Sequence, residues 1–358
     1  MSGGVDSSVA AARLVQQGYD VVGITLHLWD YPDDGSVKGR CCAPEDVHDA
    51  RRVADTLGIP HFAFDRREHF RTTVVDPFID GYLAGTTPSP CVTCNRSVKM
   101  GELFGLLDRL DADLVATGHY ARIDKSGPVP RLLRSKDESK DQSYFLHMLP
   151  SDVLARLHFP LGDVTKSEVR AEALRLELPG ATKGESQELC FVPTGRYDSF
   201  LEEQASERLR PGPIVDDTGK TIGTHKGVHQ FTVGQRRNLG VAVGHRTYVV
   251  GVDAATQTVR LGRPEELDRK LAILADDVSF AEDISLPLRC QVAVRYRGRP
   301  HEGTVTRENG AVRVLFDQAV RAVVPGQVAV FYDDERVLGG GTIRDTEASV
   351  PPTSTVPN

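Results

Sequence analysis

The sequence predicts an α/β N-terminal domain built on a doubly wound parallel sheet, followed by a β-rich half. Three observations carry that reading. Helical and strand patterns alternate over the first 120 residues, the mark of βαβ units and of a parallel sheet covered on both faces. After about residue 200 the chain turns to short Val-, Ile- and Thr-rich runs separated by Gly, Asp and Asn, an all-β texture. The chain of 358 residues has room for two or three domains at ~100–200 residues each.

The elements follow in order. Positions 7–17 read as a helix, with Val9, Ala10, Arg13 and Leu14 on one face and Gly18 as its stop. Positions 21–28 are an apolar, β-rich run. Pro44 opens a second helix whose stripe is Val47, Ala50, Val53 and Leu57, and Gly58 ends it. A strand is expected at 61–64, an amphipathic helix at 98–110 and a strand at 113–117. Thr165 and Glu168 form a capping box before a helix carrying Val169, Ala173 and Leu176. Pro211-Gly212-Pro213 is a break. Beyond it Asp-Asp-Thr-Gly-Lys and Glu-Asn-Gly read as hairpin turns. The expected divisions are a catalytic domain at 1–200, a small central β-rich domain at 201–265, a last domain at 266–346 and a disordered tail at 347–358.

Composition narrows the function. Hydrophobic residues at 40% and charged residues at 26% make an ordinary globular mixture, which excludes disorder for the bulk of the chain. No apolar stretch approaches the ~18 residues of a membrane span. The N-terminus has no basic region followed by an apolar one, so a secretory leader is not expected. Six cysteines are too few for a disulfide scaffold; a cytoplasmic location, with metal-binding or catalytic cysteines and no membrane partner, is the expectation. The net charge of −7 argues against indiscriminate nucleic-acid binding but leaves local patches open. Positions 224–246 hold Lys226, Arg236, Arg237 and Arg246 with no acid. Positions 289–321 hold seven arginines and three acids. Such runs also fit a solvated face, but Arg295-Tyr296-Arg297-Gly298-Arg299 interleaves an aromatic, which suits phosphate contact with base stacking.

Ser2-Gly3-Gly4-Val5-Asp6-Ser7-Ser8 opens the first helix. Two glycines let the backbone approach an anion, and the helix N-terminus favours negative charge. No Gly-Lys-Ser/Thr follows, so it is not a Walker A loop. Read alone, it is equally a turn capping a helix. The longer string resembles the pyrophosphate loop of the N-type ATP pyrophosphatases, in which a buried strand precedes the loop; here only Met1 does. Pro88-Ser89-Pro90-Cys91-Val92-Thr93-Cys94-Asn95 reads as a proline-stiffened loop before the helix at 98–110. A thiol near a helix N-terminus is expected to have a lowered pKa, which makes Cys94 a candidate nucleophile, with a small buried turn residue as the alternative. On its own evidence Cys190 could equally be a buried strand residue. Cys41-Cys42 reads as structural at a helix start and Cys290 as core.

SGGVDSS, PSPCVTCN, ATGHYAR, KDQSYFL, SQELCF, VRYRG and PGQVAVFY occur in that order. Together they resemble the tRNA-specific 2-thiouridylases (the MnmA/TrmU family), over nearly the whole chain to about Thr342. The resemblance implies an adenine nucleotide alpha hydrolase-like first domain and a C-terminal β-barrel. It implies adenylation of the wobble uridine C2 oxygen with ATP and Mg2+, then sulfur transfer. Cys190 would carry a persulfide, and Cys94 would attack it and leave a transient Cys94–Cys190 disulfide. Met1, Ser2, Gly3, Gly4, Val5, Asp6, Ser7, Leu26 and Gly118 would bind ATP. Ser89, Pro90, Cys91, His119, Lys140, Asp141, Gln142, Arg295, Tyr296 and Gln327 would meet tRNA, with Ser89, Pro90 and Cys91 around a base taken out of its stack. The partners implied are the tRNAs for Lys, Glu and Gln and a persulfide carrier protein or cysteine desulfurase. Residues 183–191 read as a mobile lid. The family's best-known members have Asp where Cys91 stands, so Cys91, Cys94 and Cys190 could instead hold three irons of a [4Fe–4S] cluster. Two other classes stay open: a small-acid ligase or amidotransferase, and a non-catalytic tRNA-binding or iron–sulfur protein.

Overall fold

Helix α1 (Val5–Gln16) starts directly after Gly3 and Gly4 and buries Val9, Ala10, Ala12 and Leu14. Gly18, at φ 85°, ends it, and the Tyr19 N–H closes on the Leu14 carbonyl at 3.1 Å. The computed structural model describes residues 1–30, 44–184, 189–192 and 195–348. Strand β1 (Gly23–His27) pairs in parallel with β2 (His61–Asp65), from Gly23 opposite His61 to His27 opposite Asp65. Between them runs α2 (Pro44–Leu57), whose Ala50, Val53 and Ala54 are fully buried. A parallel pair needs such a crossover. A second parallel pair joins β3 (Val115–Ala116) and β4 (Leu157–His158). Helix α3 (Lys166–Arg175) follows with its capping box formed: Thr165 Oγ1 accepts from the Glu168 N–H at 3.3 Å, and Glu168 accepts from the Thr165 N–H at 2.6 Å. Val9 and Ala12 of α1 pack on Val169 and Ala173 of α3. The expected α/β class is observed.

The β-rich half is built from hairpins. Gly212–Val215 and Thr221–His225 pair antiparallel, as do Tyr248–Asp253 and Thr258–Gly262. Six strands then close into a barrel, in the order Asp268–Leu274, Ala311–Arg321, His301–Glu308, Leu288–Ala293, Val328–Asp333 and Arg336–Glu347. Pairing of Leu271 with Glu347 and Ala272 with Thr346 completes the ring. The Glu-Asn-Gly turn is a tight one, with Asn309 at φ 51° and Gly310 at φ 80°, the conformation that matches strand twist. Alternating Val292, Val305, Val314, Phe316 and Phe331 fill the barrel. Cys290 is buried there, as expected of a core residue. The last strand reaches Glu347, one residue into the stretch expected as tail; the tail from residue 349 lies outside the described residues.

The chain forms two compact units: Met1–Pro77, Pro90–Phe200 and Glu335–Val337 in one; Phe78–Ser89, Leu201–Asp334 and the chain from Leu338 in the other. The inclusion of Phe78–Ser89 in the β-rich unit has a local cause. The Thr87 N–H donates to the Pro325 carbonyl at 2.9 Å, and Gln327 Nε2 donates to the Thr87 carbonyl at 2.8 Å.

Candidate active site

The glycine turn is built by close approach. Gly3 sits at φ 67°, and a Cβ there would lie 2.4 Å from the Asp46 carbonyl oxygen. Gly4 is the extended N-cap of α1. The Ser2 N–H donates to Ser7 Oγ at 3.0 Å, and Ser7 Oγ donates to the Gly4 carbonyl at 3.1 Å. Gly118, at the end of β3, lies against the same loop; a Cβ on it would be 2.9 Å from the Asp6 carbonyl carbon and the Ser7 nitrogen. Above them opens a cavity of about 660 Å³. Met1, Ser2, Asp6, Ser7, Leu26, Gly118, His119 and Gln142 line it, with Leu103, Leu106 and Leu107 giving an apolar wall. The cavity runs the length of β1 and β3, from residues 19–22 and 111–114 before them to Leu26, Gly118 and His119 near their carboxyl ends, where the glycine turn and the α1 N-terminus can cradle a phosphate. Val5 lies instead in the core between α1 and α3. Asp6 accepts from Lys166 Nζ at 2.6 and 2.7 Å and from the Tyr120 hydroxyl at 2.8 Å.

The cysteine segment differs from the expected loop. A continuous helical run begins at Pro90, through Pro90–Thr93, a π-helical Cys94–Met100 and Gly101–Leu106. Proline is suited to the first helical position, which turns the expected stiff loop into a helix start. Cys91 and Cys94 are therefore one turn apart on a helix. Cys94 is 6% exposed. Burial pushes its thiol up and the Lys99 ammonium only partly offsets this, so the expected lowering does not occur. Burial and the neighbouring Cys94 push Cys91 up to about 11. Both thiols are neutral at rest. Burial, with Lys99 adding to it, holds His119 down to about 3, and Thr117 Oγ1 lies 2.6 Å from its Nδ1. The unfolded imidazole, with its ordinary value of about 6.5, binds a proton the folded one refuses, so stability falls as pH drops from about 6.5 towards 3. The His119 ring resonances are expected to stay fixed from pH 8 to about 4; a midpoint near 6.5 in an NMR titration would contradict the desolvated neutral ring.

Cys190 is followed by Phe191, which is 2% exposed and packs edge-on with Trp29 at 6.2 Å, Phe70 at 5.8 Å and Phe200 at 5.5 Å. That aromatic cluster fixes the chain next to the candidate persulfide residue. The expected lid at 183–191 lies partly outside the described residues. At its described ends Lys183 is ion-paired and Phe191 buried. Cys41 and Cys42 also lie outside the described residues. Among the described residues no three His, Cys, Asp or Glu side chains gather to hold a metal.

The other expected contact residues fall in separate places. Gln142 Oε1 accepts from the Tyr120 N–H at 2.8 Å, fastening the 140–142 loop beside the cavity. Asp141 is turned inward: its carboxylate accepts from the Ser135 and Ser143 N–H groups and from the Ser143 hydroxyl, which spends it on shaping that loop. Lys140 is half-buried on the same short turn. Ser89, Gln327, Arg295 and Tyr296 belong to the β-rich unit, while Pro90 and Cys91 belong to the other. Gln327 holds Thr87, two residues before Ser89. Of the seven arginines at 289–321, Arg289 pairs with Asp317, Arg313 with Glu308 and Arg321 with Asp268. The cationic excess therefore narrows to Arg307 and the turn of Arg295, Arg297 and Arg299, where Arg297 lies 5.1 Å over the Tyr296 ring. Lys226, Arg236, Arg237 and Arg246 are all exposed.

Sequence reading missed four residues around the cavity. Lys99 lines it and biases Cys91, Cys94 and His119. Lys166 and Tyr120 hold Asp6, and Asp46 lines the wall beside Gly3. Lys166 had a signal, since it is the first residue after a capping-box threonine; the others become visible only when the chain is folded.

Three family models match the chain: the tRNA methyl transferase HUP domain over residues 1–194, the tRNA methyl transferase PRC-barrel domain over 198–263 and the aminomethyltransferase beta-barrel domain over 270–343. A tRNA-specific 2-thiouridylase MnmA of Sorangium cellulosum is 60% identical over 96% of this chain and 91% of its own. One of Geobacter metallireducens is 47% identical over 96% and 95%. Among solved structures an NMN synthetase of Francisella tularensis aligns with 58% of this chain and 79% of its own at 16% identity, with a TM-score of 0.31, which is too low to bear on the fold. Among the described residues no helix is long and apolar enough to cross a membrane.

Proposed function

Because the chain belongs to the tRNA-specific 2-thiouridylase family, we propose that it makes 2-thiouridine in tRNA, using ATP to activate the base and a cysteine persulfide to deliver the sulfur. The observation that carries this reading is the match to 2-thiouridylases along nearly the whole chain at up to 60% identity. The cavity supports the ATP half of it. Its glycine turn and helix N-terminus suit the polyphosphate.

The chemistry runs in balanced steps. The C2 oxygen of the wobble uridine attacks the α-phosphorus and pyrophosphate leaves. The O–AMP group is then a good leaving group on a carbon that was a poor electrophile. Cys94 attacks the Cys190 sulfur of a Cys190 persulfide, forming the Cys94–Cys190 disulfide and releasing hydrosulfide. Hydrosulfide adds to C2 and expels AMP. A two-electron thiol reductant restores both cysteines, and a persulfide carrier or desulfurase reloads Cys190. The buried Cys94 thiol, pushed up by its burial, fits a nucleophile that stays unreactive until the tRNA is seated. Mg2+ would accompany the polyphosphate. Iron and acid-labile sulfide in anaerobically purified protein would replace the persulfide with a cluster-bound sulfide; their absence supports the persulfide. The three-part division at 1–200, 201–265 and 266–346, the tRNAs for Lys, Glu and Gln and a cytoplasmic location belong to the same proposal.

Recognition of tRNA would fall to Ser89, Pro90, Cys91, His119, Lys140, Gln142, Arg295, Tyr296 and Gln327, with Asp141 shaping its loop. Arg295→Ala is expected to weaken tRNA binding and lower the slope of log affinity against log salt by about one, with ATP affinity unaltered. Filter binding over a salt series reads this, and an unmoved slope would count against the contact. The family models' descriptions favour a second reading, tRNA methyl transfer. It uses neither a phosphate turn nor the paired thiols, and the mass of the modified nucleoside separates the two.

A further inference from the structure

The loop that would hold the polyphosphate owes its shape to two neighbours rather than to its own sequence. One is the Asp46 backbone, on which Gly3 turns so closely that no Cβ fits. The other is the turn at Gly180–Lys183, closed by the Lys183 N–H on the Gly180 carbonyl at 2.9 Å. Gly180 approaches so near the Gly3 carbonyl that a Cβ would lie 3.3 Å from it, and 3.5 Å from Lys183 Cδ. Lys183 then joins the two neighbours. Its Nζ donates to Asp46 Oδ1 at 2.9 Å and pairs with Asp49 Oδ2, one turn further along α2. The Asp46 side chain is 6% exposed and that of Lys183 28%, so the acid end of this ion pair is dry and the ammonium partly wet; Asp46 itself lines the nucleotide cavity.

We propose that Lys183 is a positioning residue for nucleotide binding: its bond to Asp46 and Asp49 clamps α2 to the turn at Gly180 and so fixes the backbone between which Gly3 is held. This rests on the reading of the cavity as the ATP site. The clamp depends on charge as well as packing. Burial works against the ammonium, but the hydrogen bonds to Asp49 and Asp46 outweigh it and hold the Lys183 pKa above its ordinary value, so the cation persists across working pH. Removing it leaves the Asp46 carboxylate beside the place where polyphosphate charge would arrive, which adds repulsion to the loss of position. The triphosphate would then meet both a looser loop and an extra negative charge.

Calorimetric titration with α,β-methylene-ATP and Mg2+ tests this on the full chain. Lys183→Met is expected to weaken binding by about 10-fold or more, Lys183→Arg to restore it to within about 3-fold, and Asp49→Asn to weaken it by a smaller factor, since Asp46 keeps its partner. A steeper loss at low than at high salt is expected for Lys183→Met, because the repulsion by Asp46 is screened; a packing defect would show no such salt dependence. Equal affinity in Lys183→Met and the unsubstituted chain would overturn the clamp while leaving the ATP site intact. No binding by the unsubstituted chain would overturn the ATP reading and the clamp with it. If Lys183→Met does not fold, Asp49→Asn and Lys183→Arg decide the matter: an Asp49→Asn affinity equal to that of the unsubstituted chain would also overturn the proposal.

Discussion

Cys94→Ser is expected to lower sulfur transfer to tRNA by on the order of 10³-fold or more, the scale seen when a covalent nucleophile is removed, while tRNA-dependent release of pyrophosphate continues. In the proposed mechanism the two activities would separate because they would use different parts of the first unit. Adenylation would use the glycine turn and the cavity beside it. Sulfur delivery would use the thiol, which does not line that cavity. A serine of nearly equal size in a helix turn leaves the packing around Val92 and Val98 in place. Pyrophosphate release, read with a coupled assay, and 2-thiouridine, read by mass spectrometry, are measured in the same reaction. Loss of both together would place Cys94 in nucleotide or tRNA binding. Cys190→Ser should give the same split, and Cys91→Ala should not if the persulfide route is correct.

The second large effect is expected from Gly3→Ala. Two costs add at this position. The backbone is left-handed at φ 67°, which a Cβ disfavours by roughly 1–2 kcal/mol. The new methyl would also stand 2.4 Å from the Asp46 carbonyl oxygen, a backbone atom that cannot rotate away. The turn must open, and α2 must move from it. Nucleotide binding is expected to fall by about 100-fold, with a loss of stability of a few kcal/mol. Gly118→Ala makes a milder version of the same clash, 2.9 Å from the Ser7 nitrogen. Calorimetry and thermal melts on the two variants check the ranking. A Gly3→Ala protein with unaltered nucleotide affinity would show that the loop is a simple helix cap.

Elements set by local pattern were legible in the sequence. The capping box at Thr165, the stripe of α2 and the Asn309-Gly310 hairpin each depend on residues a few positions apart, and each formed where it was expected. The helix start at Pro90 was misread because a proline reads equally as a loop stiffener and as a first helical residue; the packing of Val92, Val98 and Met100 decides it. The thiol pKa of Cys94 was misread for a related reason. Position near a helix start lowers it, but burial is a property of the folded chain and outweighs that here. The arginine-rich stretch was overread, since three of its cations are matched by acids: Arg321 on the neighbouring strand, Arg289 one strand further away and Arg313 across its own hairpin. Lys99 was not found at all, and Lys183 was read only as the start of a lid, not as the partner of Asp46 and Asp49. Such partners lie on other segments or one helical turn away, and a lone lysine carries no signal of them in sequence.

The most direct measurement of the central claim is a reconstituted reaction of the purified chain with unmodified tRNA, ATP and a persulfide donor, with the nucleosides then digested and weighed. The account predicts a wobble uridine heavier by a sulfur-for-oxygen exchange, one AMP and one pyrophosphate formed per sulfur installed, and no product without ATP. A wobble uridine that gains a methyl group, or AMP and pyrophosphate released with no sulfur in the tRNA, would contradict it.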